Sequence, residues 1–352
     1  MIQTRFGVIG CGSAAIPVCE AMTASPLAAL ARVHDLDPTL ARDLGERYRV
    51  PHTGQLDELL ADAGVEAVYI AVPHDRLHPL ARQALEAGKH ALVEKPMALT
   101  LEQADDLIAL SEQRRLALGV FYELRHATAY AQAREMIRAG AIGEVIGVRI
   151  QTLIDKPTSY WQFGYSGHSA SPWRAQKARA GGGVVLMNTS HQLDAIWHIT
   201  GLEVASISAE IGALTAPVEV EDIASATLRF DNGAIGSLLA GAHIAGASPG
   251  GERIDIYGAL GQLRLPDVYH EGALQVFLRR AWDDILAGAW HTMPAAMAPV
   301  YAEAVEAFAR AVQQGEPAPT NGYDARRVLA VVLAIYQSAE EKRTIMLSAR
   351  EV

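Results

Sequence analysis

The sequence predicts two domains: an N-terminal α/β domain on a doubly wound parallel sheet, and a C-terminal α+β domain with a large, mostly antiparallel sheet. Three observations predict it. Short apolar runs alternate with helical patterns up to about residue 120; strand-like runs then succeed one another directly; and 352 residues exceed what one core usually holds.

Phe6-Gly7-Val8-Ile9 reads as a buried strand, and Ile16 to Met22 as the start of a helix. Ala31 to His34 gives a second strand and Pro38 to Tyr48 a second helix. Ala67 to Val72 is an unbroken apolar strand, the kind found in a sheet covered on both faces. The next helix is expected to open at Pro79, since proline suits a first turn. His90 to Val93 is another strand and 101–114 another helix. Alternation of this kind implies parallel strands joined by right-handed crossovers.

The second half reads differently. Glu144 to Ile154, Val204 to Ile211, Ile223 to Phe230 and Ala234 to Ala240 are strand-like, and Asp231-Asn232-Gly233 marks a hairpin. Arg253 to Tyr257 and Gln262 to Leu265 extend the series, while 128–139, 184–199, 299–314 and 322–341 carry helical patterns. The expected domains are 1–121 and 122–352, with the last helix, 322–341, in reach of the first domain.

Half the residues are apolar and a fifth charged, ordinary for a globular chain. With a formal charge of −10 and no long basic face, a nucleic-acid partner is excluded, because phosphate neutralisation supplies most non-specific affinity. The opening MIQTRFGVIG lacks the pattern of a secretory signal, and no run approaches the roughly 18 apolar residues of a membrane span. Cytoplasm is the expected compartment. With only Cys11 and Cys19 present, neither a disulfide framework nor a cysteine-rich zinc site is expected. His168, His198, His243, His270 and His291 lack metal-ligand spacing, and no metal is assigned.

Gly10-Cys11-Gly12-Ser13-Ala14-Ala15 comes after a strand and opens a helix. Gly10 supplies a tight turn, and Gly12 lets backbone amides approach a diphosphate. Ala15 permits close helix–strand packing, and the helix start adds unpaired amides at Ser13 and Ala14. Asp35, 20 residues past Ala15, ends the second strand. A carboxylate there accepts both ribose hydroxyls and repels a 2′-phosphate, and Leu36 offers no cradle for one. NAD is therefore expected ahead of NADP.

Glu94-Lys95-Pro96 stands at the carboxyl end of a strand, where open α/β sheets place ligands. Pro96 holds Lys95 extended, which aims a long cation over the crevice. Such a group binds a substrate hydroxyl and stabilises the oxygen as its proton leaves. With these features in place, the chain resembles the glucose–fructose oxidoreductase/inositol dehydrogenase (Gfo/Idh/MocA) family over essentially its whole length. The matching pieces are GVIGCGSAA, Asp35, AVPHDRLH, ARQALEAGKHALVEKP, IRAGAIGEV, WRAQKARAGGGVVLMNTSHQLDAIWHITG and FARAVQQGEPAPTNGYDARRVLAVVLAIYQSA.

The resemblance implies a Rossmann domain, a C-terminal sheet domain and a bound nicotinamide cofactor. It also implies an active-site Lys95, with the Lys95–Pro96 bond open to the cis form. The second half of the chemistry is expected in Met187-Asn188-Thr189-Ser190-His191-Gln192-Leu193-Asp194. On a regular helix Met187, His191 and Asp194 form one stripe, with Asn188 beside His191. Many family members carry an aspartate four residues before this histidine; here the position is Met187, and the chain resembles a branch reading MN-x-x-H.

On this register His191 accepts the hydroxyl proton and Lys95 holds the substrate oxygen, an imidazole being suited to reversible proton transfer. Asn188 and Asp194 orient substrate or imidazole. Pro73, His74 and Glu94 fall on the cofactor side, and His78 either lines the nicotinamide pocket or caps the helix. Arg125, Trp161, Trp173 and Arg174 are expected to face the crevice from the second domain, with Trp173-Arg174 matching a family pair that often touches the cofactor, and Lys177 either contacts substrate or is a solvated loop lysine. Tryptophan offers a flat wall to a ring and arginine a fork for oxygens.

The expected activity is a dehydrogenase or reductase of a polyhydroxylated ring such as a sugar or cyclitol. Two alternatives stand beside it: a lyase or glycosidase working through transient oxidation, and a non-catalytic NAD-binding regulator. Intact Lys95 and His191 argue against the regulator. Self-association as a homodimer or homotetramer, through the exposed face of the antiparallel sheet, is expected from the fold analogy.

Overall fold

Six parallel strands organise the first half of the computed structural model, which describes residues 2–164, 167, 171–247, 249–269, 273–295 and 299–347. They are β1 (Thr4–Ile9), β2 (Ala28–His34), β3 (His52–Thr53), β4 (Ala67–Ile70), β5 (His90–Val93) and β6 (Leu118–Val120), in the spatial order β3-β2-β1-β4-β5-β6. The chain reverses direction across the sheet between β1 and β4, so the carboxyl ends there open a crevice. Phe6, Val8 and Ile9 are buried because helices cover the sheet. Helix Pro38–Tyr48 is capped by Asp37, which accepts from Thr39 N–H at 2.8 Å, and helix Leu101–Arg114 by Thr100, which accepts from Gln103 N–H at 3.2 Å.

One helix begins earlier than its sequence suggests. It spans His74–Glu86, so Pro79 lies inside it rather than at its start. Pro73, at φ −51° and ψ 145°, already turns the chain out of the strand, so the helix starts one turn before Pro79 despite the missing N–H.

The chain divides into two compact units that are not continuous in sequence. The first gathers Met1–Glu123, Ser159–Gly181 and Tyr301–Leu329. From Tyr301 onward, helix Val300–Gln314 packs on the sheet: Phe308 meets Phe6 with ring centres 6.0 Å apart, and Tyr301 stacks on Phe121 at 5.8 Å. Gly119 has no alternative, since a Cβ there would stand 2.6 Å from the Phe308 ring. The segment 159–181 was expected in the second domain; it clusters with the first because it is fastened to helix His74–Glu86. Arg179 reaches Asp75 at 3.4 Å, and His74 Nδ1 lies 2.8 Å from the Ala180 carbonyl oxygen.

The second unit gathers Leu124–Thr158, Gly182–Val300 and Ala330–Val352. Its strands are β7 (Val145–Leu153), β8 (Val204–Gly212), β9 (Ile223–Phe230), β10 (Ile235–Gly241), β11 (Glu252–Gly258), β12 (Gly261–Leu265), β13 (Leu274–Leu278), β14 (Trp290–Met293) and β15 (Ile345–Met346). Their order is β14-β13-β12-β11-β7-β10-β9-β8-β15, with only the β7–β10 neighbours parallel. Gly233, at φ +88°, closes the β9–β10 hairpin at the expected turn.

In β9, buried Ala224, Ala226, Leu228 and Phe230 alternate with exposed Ser225, Thr227 and Arg229. On the sheet's buried side, helix Thr128–Arg138 packs against β12 and β13. The opposite face leaves Ile235, Leu239 and Trp290 at 52%, 42% and 41% exposure. On that face Asp255 sits buried among Arg149, Arg253 and Arg264, at 2.9, 3.0 and 3.8 Å. No helix of the described residues is long and apolar enough to cross a membrane.

Candidate active site

In the first unit the glycine turn and Asp35 form one bonded structure. Gly10 adopts φ +95°, and a Cβ there would lie 2.2 Å from the Ala71 carbonyl oxygen, so only glycine is accommodated. A Cβ at Gly12 would meet nothing within 4 Å, which leaves the turn's outer edge open. Gly12, Ser13 and Ala14 reach the surface, whereas Cys11 and Ala15 are buried. Asp35 accepts from Cys11 N–H at 2.7 Å through Oδ2 and from Asp37 N–H at 2.9 Å through Oδ1. An open glycine edge, a helix start (Ala15–Ala24) and a fixed carboxylate beside them fit a dinucleotide. Burial, and then the negative Asp35, push the Cys11 thiol well above the usual range, so it is inert.

At the end of β5, Glu94 accepts from the Tyr69 hydroxyl at 2.6 Å and from Lys95 N–H at 3.2 Å. Burial raises its carboxyl, and the Lys95 charge opposes that rise. Lys95 is half-buried and its bond to Pro96 is cis. Burial drives the His74 imidazole down to about 3; the Ala180 hydrogen bond opposes this, and the charges of Lys95 and Arg174 add to it. Trp173 lies 4.6 Å from the His74 ring, and the Arg174 guanidinium sits over Trp173 at 4.5 Å and Tyr160 at 5.4 Å.

Pro73, His74, Glu94, Lys95, Trp173 and Arg174 thus belong to one neighbourhood of the first unit. Trp161 is buried, edge-on to Tyr160 at 5.5 Å, and Lys177 is exposed. His78 turns instead to Asp106, 2.9 Å from Nε2 to Oδ2, a carboxylate that Arg82 also grips. His168 and His270, and parts of the loops 155–180 and 266–298, lie outside the described residues.

In the second unit, Glu221 bonds the start of the segment that leads to His191. Its carboxylate accepts from Gly183 N–H at 2.7 Å, Val185 N–H at 3.0 Å and the Tyr336 hydroxyl at 2.9 Å, placing negative charge where a helix start favours it. A Cβ at Gly183 would come within 1.8 Å of the Glu221 carbonyl oxygen, so the chain can approach this closely only as glycine. Val185–Thr189 is a π-helical turn, with Ser190 N–H bonded to the Val185 carbonyl, and it leads into the α-helix Ser190–Thr200.

The extra residue in that turn rotates the succeeding helix by roughly 100° relative to a regular helix. The offset separates Met187 from the regular spacing with His191, whereas His191 and Asp194 keep their three-residue spacing within the α-helix; Met187 and Asp194 are both buried. Of residues 182–196, only Asn188 and His191 are not buried. Asp194 is held by Arg125, 2.7 Å from Nε to Oδ2 and 2.5 Å from Nη2 to Oδ1, and Arg125 also lies 5.2 Å from the Trp197 ring. Lys156, just past β7, donates to Asn188 Oδ1 at 2.6 Å.

Lys156, Glu221 and Tyr336 escaped the sequence reading. Lys156-Pro157 beyond β7 repeats the pattern of Lys95-Pro96 beyond β5, a signal that was present in the chain. For Glu221 and Tyr336 there was none, because their partners lie 36 or more residues away.

Comparisons with known proteins agree with this architecture. Residues 4–122 match the oxidoreductase family described as having an NAD-binding Rossmann fold, and residues 130–264 match the GFO/IDH/MocA C-terminal domain. The chain is 29% identical to 1,5-anhydro-D-fructose reductase of Ensifer adhaerens, over 81% of this chain and 80% of that protein. It is 25% identical to myo-inositol 2-dehydrogenase of Thermotoga maritima, over 97% and 98%. A levoglucosan dehydrogenase solved with NADH and L-sorbose shares the fold at a TM-score of 0.87 and 23% identity, covering 99% of this chain and all of that one. With both domain models matched in order, the chain belongs to the Gfo/Idh/MocA family of oxidoreductases.

Proposed function

We propose that this oxidoreductase uses NAD(H) to interconvert a hydroxyl-bearing carbon and its carbonyl on a sugar, cyclitol or related polyol. The observation that supports it best is the exposure pattern of the helix start, where Asn188 and His191 alone reach out of an otherwise buried stretch. In the oxidative direction His191 accepts the hydroxyl proton, Lys95 holds the same oxygen as charge develops on it, and Asn188 fixes a neighbouring oxygen. A bound nicotinamide supplies the acceptor for the hydride lost from that carbon. Gly10, Gly12, Ser13 and Ala14 receive the diphosphate and Asp35 the ribose hydroxyls, which selects NAD over NADP. His74, Trp173 and Arg174 wall the cofactor side. The names of relatives that act on sugars and inositol support the substrate class.

On the same reading the enzyme is cytoplasmic and a homo-oligomer that covers the open face of the nine-stranded sheet. A screen of sugars, cyclitols and their keto forms with NAD(H), monitored by nicotinamide absorbance, tests the proposal. Turnover of at least one polyol or its ketone is expected. Silence across the panel, with the cofactor demonstrably bound, overturns it; release of a leaving group without net NADH replaces it by redox-assisted elimination.

A further inference from the structure

Lys156 is 1% exposed, and its ammonium lies 2.6 Å from Asn188 Oδ1. The backbone delivers it there firmly. Beyond β7, Ile154 N–H bonds the Gly241 carbonyl at 2.8 Å, and Lys156 N–H bonds the Ala242 carbonyl at 2.9 Å. Pro157 keeps Lys156 extended. The cation is thus fixed beneath the π-helical turn that presents Asn188.

An ammonium has three donors and no acceptor, so the carboxamide must give it oxygen. That settles which way Asn188 faces: Oδ1 points inward to the lysine, and the Nδ2 hydrogens are left for the outer side. The hydrogen bond also polarises the amide and strengthens those outer donors. Where many family members place an aspartate, this chain has Met187, buried and uncharged. The half-exposed edge at Asn188 is therefore donor-rich and backed by the Lys156 ammonium. The oxygen that gains most from such an edge is a carboxylate, which accepts without donating and carries the complementary charge.

We infer that Lys156 is a positioning residue that turns the Asn188 amide nitrogen toward substrate, and that the substrate is a sugar acid held there by its carboxylate. The inference rests on the redox reading of His191 and Asn188. Kinetics with two matched pairs, D-glucuronate against D-glucose and D-galacturonate against D-galactose, test it in the full-length protein. The wild type should favour the acid of at least one pair. Lys156→Gln should lower that acid-to-neutral ratio of kcat/KM about 10-fold or more, mostly through KM for the acid, and Lys156→Arg should restore most of it. Asn188→Asp, which pairs with the lysine and removes the outer N–H, should lower the ratio as well. It decides the matter if Lys156→Gln does not fold, as judged by NADH binding.

A wild type that favours the neutral sugars, or variants that slow acid and neutral sugar by the same factor, would overturn the inference while leaving the redox reading intact. No turnover of any sugar or acid by a wild type that binds NADH would remove both.

Discussion

The Arg125 guanidinium and the Asp194 carboxylate satisfy each other: two hydrogen bonds join them, and their side chains are 5% and 1% exposed. A pair so buried is costly to break from one side, because the other charge is then stranded away from water. Asp194→Asn or Arg125→Met should destabilise the protein by about 3–5 kcal/mol, read as a shift of the urea midpoint. The joint replacement Arg125→Met with Asp194→Leu should recover most of that loss. A wild-type midpoint in either single variant would show that the pair contributes little.

Asp35 accepts a hydrogen bond from Cys11 N–H in the glycine turn, and on the proposed reading it sets the choice of cofactor. Asp35→Ser should weaken NADH binding about 10-fold or more while relieving the repulsion of a 2′-phosphate, so the NAD-to-NADP preference narrows. Fluorescence titration with both reduced cofactors measures it. Tighter NADP(H) than NAD(H) binding by the wild type would remove the role given to Asp35.

Acid should destabilise the protein through His74. Burial lowers its imidazole from 6.5 to about 3, so below pH 6.5 the unfolded chain binds a proton that the folded chain refuses. Its stabilising contribution is complete above that point and falls as the pH drops toward about 3. Near pH 5 the loss should be about 2 kcal/mol relative to neutral pH, and His74→Gln should remove that share of the pH dependence. Parallel urea curves for the variant and wild type at both pH values would contradict it.

The open sheet face should be covered by a second copy. Ile235, Leu239 and Trp290 are exposed there beside the arginines that surround Asp255. Light scattering should give an oligomer, and Leu239→Glu with Trp290→Glu should reduce its mass to that of one chain. A monomeric wild type refutes the assembly.

Much of this was legible in the sequence where the determinants are local. Gly10, Gly12 and Asp35 sit at strand ends set by short apolar runs, and Lys95-Pro96 needs only its own strand to be placed. Illegible parts depend on distant partners. The segment 159–181 joins the first unit through His74 and Asp75, about a hundred residues away in sequence. The amides that open the π turn at Val185–Thr189 bond to the distant Glu221, whose carboxylate has no periodic signature. Strand β14 was missed because none of its four residues is buried, leaving no alternation to read.

The most direct test of the account is turnover by Lys95→Met and His191→Asn on the substrate found by the screen, with NADH binding measured alongside. Each replacement should cut kcat by about 100-fold to 10,000-fold with the cofactor still bound, and the double variant should be little worse than either single one, as expected of groups acting on one proton and one oxygen. Near-normal kcat in either single variant, or losses that multiply in the double, would contradict a shared step.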